Sequence, residues 1–581
     1  MELKITKRSY DSSLIENNEH QHPILAKVFA ARGVNMEAEL DRPLSKLLPY
    51  KKLKGITTAI SVLKDSMLNS EKIVVLGDFD TDGASSTALL LRSLNLFGYT
   101  NVDFIIPNRF DHGYGLTPKI AKQIVSTKSP DLVITVDNGI SSIEGVDILK
   151  DKGIKVVITD HHLYSGELPK ADAIVNPNQE GCEFESKNIA GVGVVFYFMA
   201  GLRRALHEDG WFEERGCPIP SMKEQLDLVA LGTVADVVRL DANNRLLVHH
   251  GLEVIRKRKS KIGLSALLSL GRRDQSQILA SDLSYCVGPR LNAAGRLNDM
   301  SIGVRCLVTE NPVEADNIAD KLNQLNLERR QIEIDMQEQA EEIIGHINFD
   351  VKTTCGICLH NPSWHQGVIG ILASRVKEKY HRPTVIFTDS DENEIKGSCR
   401  SLAKLNIRDL LCEISLENPG VILKFGGHAM AAGLTVAKDK YDIFSHAFNK
   451  KISEKLTLDD LNSTIFTDGV LDKQYISLSF AKLIRQCGPW GQGFSEPIFE
   501  GEFDVLDQRI VGNNHLKLIL SIDDFNSVNA IHFNTDLDKW PNESSKKVRL
   551  AYKLDINEYR GRQQVQLIVE DIKMCSVCEL V

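Results

Sequence analysis

No run of this 581-residue sequence approaches the ~20 consecutive apolar residues of a membrane-spanning helix, and its opening, MELKITKRSYDSS, lacks a signal-peptide core. A cytoplasmic protein with no membrane contact is the expectation. The eleven cysteines are odd in number and scattered, which excludes a dense disulfide framework and predicts reduced thiols. Two Cys-x-x-Cys pairs, Cys355/Cys358 and Cys575/Cys578, have the form of half a zinc site each. The first falls in the strand-like TTCGICLH, where positions three apart face opposite ways, and the second in the last residues, where chains fray. No zinc site is expected. A basic excess is also lacking: a net charge of −9 gives no support for a wholesale polyanion binder. Arg256, Lys257, Arg258, Lys259, Lys261, Arg272 and Arg273 form a local basic stretch, which a solvated helix face would explain equally well. There is no internal repeat and no low-complexity segment.

What is present is a chain of globular composition, 43% apolar and 25% charged, long enough for two to four domains. Between residues 70 and 180, the apolar runs 72–78, 102–107, 131–137, 154–160 and 171–177 alternate with helical patterns, predicting a parallel α/β sheet covered on both faces. Ligands collect beyond the carboxyl ends of such strands, and three of these runs end in Asp78, Asp137 and Asp160. Ile318, Leu322, Leu325, Ile332, Met336, Ala340 and Ile343 predict one long amphipathic helix over 311–346, spaced by threes, fours and a single seven. Its polar face, with Asn323, Asn326, Arg329 and Arg330, either borders a cleft or is simply solvated. Residues 350–460 read as a second mixed unit running to the glycine-rich FGGHAMAAG turn (425–433). Five strand candidates at 501–511, 515–522, 527–534, 547–557 and 562–572 then suit a small barrel of the OB type, with an SH3-like barrel as the alternative.

The chemistry concentrates in GDFDTDGASS (77–86), where a strand gives way to a helix through Asp78, Asp80 and Asp82. Alternate aspartates in an extended turn aim two carboxylates the same way; a helix cap by Asp82 is the bland alternative. An EF-hand is excluded, since no glutamate stands twelfth from Asp78 or Asp80. Asp137 precedes Asn-Gly and can be read as a turn residue or a ligand. Asp160-His161-His162 places a carboxylate and two imidazoles at a strand end, where paired histidines are poor core residues. Asp236 interrupts the apolar VALGTVADVV and needs a cap, an ion pair or a metal. Together these carboxylates and imidazoles require neutralisation by protons or cations. An oxygen-rich set without thiolate favours two Mn²⁺ or Mg²⁺ ions and a phosphoryl displacement.

The Asp-x-Asp-x-Asp-Gly turn, the Asp-Asn-Gly turn, Asp160-His161-His162 and Asp236, in this order, resemble the four motifs of the DHH phosphoesterase superfamily. Gly426-Gly427-His428 with Ala431-Ala432-Gly433 resembles its companion DHHA1 domain. Trp364–Gly370, Ser398–Ser401, Pro107-Asn108-Arg109, Gly113-Tyr114-Gly115, Gly288–Arg296 and Pro489–Gly493 are similar to segments of its single-strand-specific DNA exonuclease branch. The resemblance covers nearly the whole chain. It implies an α/β fold: an N-terminal segment (1–50) on a parallel-sheet DHH catalytic domain (51–310), a connector helix (311–347), a mixed α/β DHHA1 domain (348–460) and an OB-type domain (461–581).

The resemblance further implies a 5′→3′ exonuclease that releases 5′-mononucleotides in DNA repair and recombination. Asp80, Asp82, Asp137, Asp160, His161 and Asp236 would hold the metals, with Asp137 as the bridge and Asp78 as a further candidate. His162 would face the scissile phosphate or the leaving oxygen. Arg109, Tyr114, Arg290, Ser398, Arg400, Gly426, Gly427 and His428 would contact DNA. Tyr114 could instead pack on its loop, Arg290 pair with a carboxylate, and His428 cap its turn. A monomer working with a helicase and a single-strand-binding protein is implied. A nanoRNase or cyclic dinucleotide phosphodiesterase, and a non-catalytic replication scaffold, are the competing readings. The C-terminal barrel argues against the former and the intact ligands against the latter.

Overall fold

A computed structural model describes residues 4–15, 22–164, 166–346, 354–542 and 545–575, apart from the Tyr559 side chain. The chain forms two compact units, Leu47–Leu461 and a second made of Met1–Lys46 with Asn462–Val581.

In the first unit, the five apolar runs become a parallel sheet in the order Val102–Ile105, Ile73–Leu76, Leu132–Val136, Lys155–Thr159, Ala173–Val175. Helices Pro118–Thr127 and Ile143–Lys150 bury Ile120, Ile124, Val146 and Leu149 against one face. Thr81–Leu96 and Gly191–Glu208 cover the other. Because both faces are covered, the strands lack polar alternation, and their carboxyl ends open together.

The long helix runs from Pro312 to His346 and joins this sheet to a mixed one. Residues 347–353, which hold the expected boundary with the next domain, lie outside the described residues. The mixed sheet has the order Ile422–Gly427, Ala431–Ala437, Glu394–Arg400, Thr384–Asp389, Ile357–His360. Met336, Ala340 and Ile344 of the long helix pack with Ile369–Tyr380 on one face. Ile407–Glu417 and Tyr441–Lys455 fill the other. Across the seven-residue gap between Leu325 and Ile332, the buried side chains are Asn326 and Arg329, with Glu333 next, while Arg330 is exposed. The polar face is therefore split: one part turns inward and another to solvent.

In the second unit, five strands close a barrel in the order Phe499–Val511, His515–Ser521, Ser527–His532, Arg562–Met574, Lys547–Tyr559. The parallel pairing of the third and fourth of these gives the OB-type topology. The N-terminal segment, expected on the catalytic domain, belongs to this unit up to residue 46. Lys4–Lys7 pairs in parallel with Thr464–Thr467, and a buried Arg32–Asp468 ion pair at 2.8 Å fixes the segment there. Sequence spacing carries no sign of a pairing across some 460 residues of chain. Cys358 lies in a strand and Cys355 before it, Cys578 is outside the described residues, and the described cysteines are free thiols. No described helix is long and apolar enough to cross a membrane.

Candidate metal centre and phosphate cleft

The parallel strands deliver Asp78, Asp137 and Asp160 just past their ends. Asp80, not Asp82, caps helix Thr81–Leu96, accepting from the Gly83 N–H at 3.0 Å. Asp82 is thereby free to turn inward, where it accepts from the N–H groups of Gly191 and Val192 at 2.7 and 3.0 Å. These lie at the start of helix Gly191–Glu208, whose positive end favours a carboxylate. Asp137 adopts a left-handed φ of 63°, and a Cβ on Gly191 would stand 2.5 Å from its Oδ1, so only glycine admits this approach. Asp236 caps the carboxyl end of helix Leu226–Ala235, followed by Val237 at φ 59°, a strained conformation for a β-branched residue.

Three sets of ligand atoms gather, each within 4.8 Å: Asp78, Asp80 and Asp137; Asp82, His161 and Asp236; and Asp137, His161 and His162. Asp137 is shared between the first set and the imidazoles. His161 Nε2 stands 3.1 Å from Asp137 Oδ1, 3.5 Å from Asp236 Oδ2 and 4.0 Å from Asp82 Oδ2. Burial and the charge of His162 hold the His161 pKa down, so its ring is neutral. Burial, then mutual repulsion, drives Asp82 and Asp236 up to about 7 and Asp78 and Asp137 well above the carboxylate range. Asp137 Oδ1 and His161 Nε2 are buried without hydrogen-bond partners. Two buried polar atoms without partners, ringed by carboxylates, fit divalent cations, and the oxygen-rich set fits Mn²⁺ or Mg²⁺.

Asp160 belongs to none of these sets. Its Oδ1 accepts from the N–H groups of His161 and His162 at 2.7 and 3.0 Å and lies 2.8 Å from His162 Nδ1; its Oδ2 accepts from Ile140 N–H at 2.9 Å. Burial would raise its pKa, but the His162 bond and the imidazole charges prevail and hold it at about 2. Conversely, burial would lower His162, and Asp160 lifts it to about 9. In this geometry the Asp160 oxygens face N–H donors and an imidazole, whereas Asp78 lies among the grouped carboxylates.

His162 is also where the metal centre meets the mixed sheet. The His162 ring faces that of His428 at 5.7 Å and 22°. The His428 turn is closed by its backbone, N–H to Ala431 carbonyl at 2.8 Å, so the side chain is not needed as a cap. Gly427 has φ 143°, and a Cβ there would meet the Ala431 carbonyl at 2.5 Å. At Gly426, paired in the sheet with Gly433, nothing lies within 4 Å of that position. The Tyr114 hydroxyl donates to the Asp137 carbonyl at 3.2 Å and touches His162, while 48% of the residue stays exposed.

Arg109 lies 4.5 Å over the Phe79 ring. Arg400 is held by Ser374 and Ser398 Oγ, each at 3.1 Å, and by the Cys399 carbonyl at 2.8 Å. Arg296 donates to the Gly367 carbonyl at 2.9 Å. Burial, then the charges of Arg109, Arg400 and Arg329, lower the Arg296 pKa to about 9. Arg329 is neutralised by Glu333, so Arg109, Arg296 and Arg400 are the guanidinium groups whose shared charge suits an anion. Arg290 stands apart: its fork is taken by Asn323 Oδ1 at 3.0 Å and the Cys286 carbonyl, an amide in place of the carboxylate considered from sequence.

Arg296 was not among the DNA contacts expected from sequence, and Arg329 was expected only to border a cleft or face solvent. Arg296 stands four residues after Asn292, whose Oδ1 accepts from the Thr81 N–H at 2.8 Å, and an i,i+4 polar pair facing the first motif was the available signal. For Arg329 the signal was the gap in the long helix.

Residues 72–233 match the model of the DHH family N-terminal domain, 352–454 the DHHA1 domain and 467–571 the RecJ OB domain. The single-stranded-DNA-specific exonuclease RecJ of Dickeya dadantii (strain 3937) is 47% identical, the match covering 94% of this chain and 96% of that protein. That of Escherichia coli (strain K12) is 45% identical over 95% and 96%. A crystal structure of RecJ in complex with Mn²⁺ from Thermus thermophilus matches at a TM-score of 0.76 and 27% identity, covering 96% of this chain and 76% of that one.

Proposed function

The chain belongs to the RecJ family of single-stranded-DNA-specific exonucleases, and we propose on that basis that it degrades single-stranded DNA 5′→3′ by metal-dependent hydrolysis. The observation that carries this reading is the juxtaposition of two clusters of like charge: buried acids around the partnerless Asp137 Oδ1 and His161 Nε2, and the arginines around Arg296. One needs cations and the other an anion, as a phosphodiester with two divalent ions supplies.

Asp82, Asp137, His161 and Asp236 would hold one ion, and Asp78, Asp80 and Asp137 the other. When bound, two such ions lower the pKa of a water and offset charge on the phosphoryl oxygens. Arg109, Arg296, Arg400 and the Gly426–Gly427 turn would hold the phosphates. His162, protonated at neutral pH and fixed through Nδ1 by Asp160, gives its proton to the leaving 3′ oxygen as the P–O3′ bond breaks, freeing a 5′-mononucleotide. The barrel supports a long strand over a dinucleotide as substrate. The family resemblance supports action in DNA repair and recombination, by a monomer working with a helicase and a single-strand-binding protein; the free thiols support the cytoplasm.

With Mn²⁺ present, a 5′-labelled single strand should yield labelled mononucleotide from the first turnovers, and a blunt duplex should resist. Label that stays on long fragments until late would reverse the polarity. Faster turnover of a dinucleotide than of the long strand would favour the nanoRNase reading.

A further inference from the structure

The basic stretch following helix Ala242–Arg256 takes no part in the metal centre or the cleft. That helix ends into Arg258 at φ 54°, and the next, Ile262–Leu270, ends into Arg272 at φ 52°. Left-handed positions after a helix favour glycine, and arginine stands at both. Lys257, Arg258, Lys259, Arg272 and Arg273 are all exposed. Glu253, Asp274 and Asp282 offset part of this charge, whereas Lys259 and Arg272 make no ion pair among the described residues.

These loops are tied to a π-helical turn, Leu283–Val287. Arg273 pairs with Asp282 at 3.0 Å, Arg256 donates to the Ile278 carbonyl at 2.9 Å, and Gly271 lies directly on the Cys286 thiol. The turn is bolted in its own right to the metal centre. Ser284 Oγ donates to the Val234 carbonyl at 3.0 Å, in the helix that ends at Asp236. Thr81, between Asp80 and Asp82, donates to the Gly288 carbonyl at 3.2 Å. On this turn Tyr285 is 78% exposed, and beside Asp236 the strained Val237 is 62% exposed. Irregular helical turns recur at functional sites, and an exposed aromatic next to basic loops is the composition that binds a single strand, stacking a base and pairing phosphates.

We propose that Tyr285, with Lys257–Lys259 and Arg272–Arg273, forms a track for single-stranded DNA outside the arginine cleft, Tyr285 stacking a base and the basic loops holding phosphates. This rests on the proposed single-strand substrate. The test compares full-length wild type, Tyr285→Ala, Tyr285→Phe and the triple variant Arg258→Gln/Lys259→Gln/Arg272→Gln. Substrates are a 5′-phosphorylated dinucleotide, a long 5′-phosphorylated oligothymidylate, and the same strand with abasic sites beyond its first nucleotides.

The triple variant should raise KM on the long strand about tenfold and flatten the slope of log affinity against log salt by about 2, at ~0.7 per phosphate contact, leaving the dinucleotide unchanged. Tyr285→Ala should raise KM several-fold on the base-bearing strand only, and Tyr285→Phe should restore it. An unchanged salt slope, an equal loss on the dinucleotide, an equal effect of Tyr285→Ala on the abasic strand, or competition by an acidic peptide but not by the strand would overturn the track. A wild type that fails to degrade single strands would overturn the proposed function instead.

Discussion

Replacing Asp160 by asparagine removes the charge that lifts His162 most strongly, through the 2.8 Å contact with its Nδ1. Without it, the His162 pKa falls from about 9 toward the unperturbed value of about 6.5, so the alkaline limb of the pH–rate profile should move down by a comparable interval. Mn²⁺ affinity, measured by calorimetry, should stay close to wild type, because Asp160 spends its oxygens on four donors. Loss of metal with an unmoved limb would return Asp160 to the ligands. A second prediction follows from the acids that remain. Asp82 and Asp236 titrate at about 7 in the fold, against about 4 in an unfolded chain. Their folded pKa is raised, so their contribution to metal-free stability is full below about 4 and is lost as pH rises through about 7. Bound cations must displace those protons. The rise in Tm on adding Mn²⁺ should therefore be larger at pH 8 than at pH 6, and an equal rise at both would contradict the ligand assignment.

Among the elements, the long helix joins stability most directly to the cleft. Glu333 pairs with Arg329, itself among the charges that depress Arg296, and with Arg375 at 2.9 Å. Glu333→Gln leaves buried Arg329 without its counter-charge and should cost about 3 kcal/mol in denaturant unfolding. A cost below about 1 kcal/mol would mean that another acid serves Arg329. This pair also shows what was legible in the sequence. Strands, long helix and barrel strands announced themselves by period and apolar runs, and the motif aspartates by standing at strand ends. How Asp78 and Asp160 turn was not legible, because which carboxylate faces its acidic neighbours and which an imidazole depends on side-chain direction, not spacing. Arg296 was hidden, looking like an ordinary polar helix position, and Arg329 was legible only as one residue of a polar face with a cleft or solvent before it.

For the molecule as a whole, the N-terminal segment shares a unit with the barrel, so the catalytic unit is residues 47–461. A chain of those residues should fold, keep hydrolysing a dinucleotide and lose affinity for long strands, read as a KM increase on the oligomer only. Equal KM values for oligomer and dinucleotide in both chains would remove the barrel from substrate binding. The central claim, however, is that a shared Asp137 carboxylate lets one buried acid cluster hold two ions that cut a phosphodiester. Mn²⁺ binding to wild type and Asp137→Asn at pH 8, with single-strand hydrolysis followed on the same samples, tests it most directly. Two ions per wild-type chain, at most one in the variant and loss of about 10³-fold or more in rate are predicted. A variant that still binds two ions and degrades single strands at the wild-type rate would contradict it.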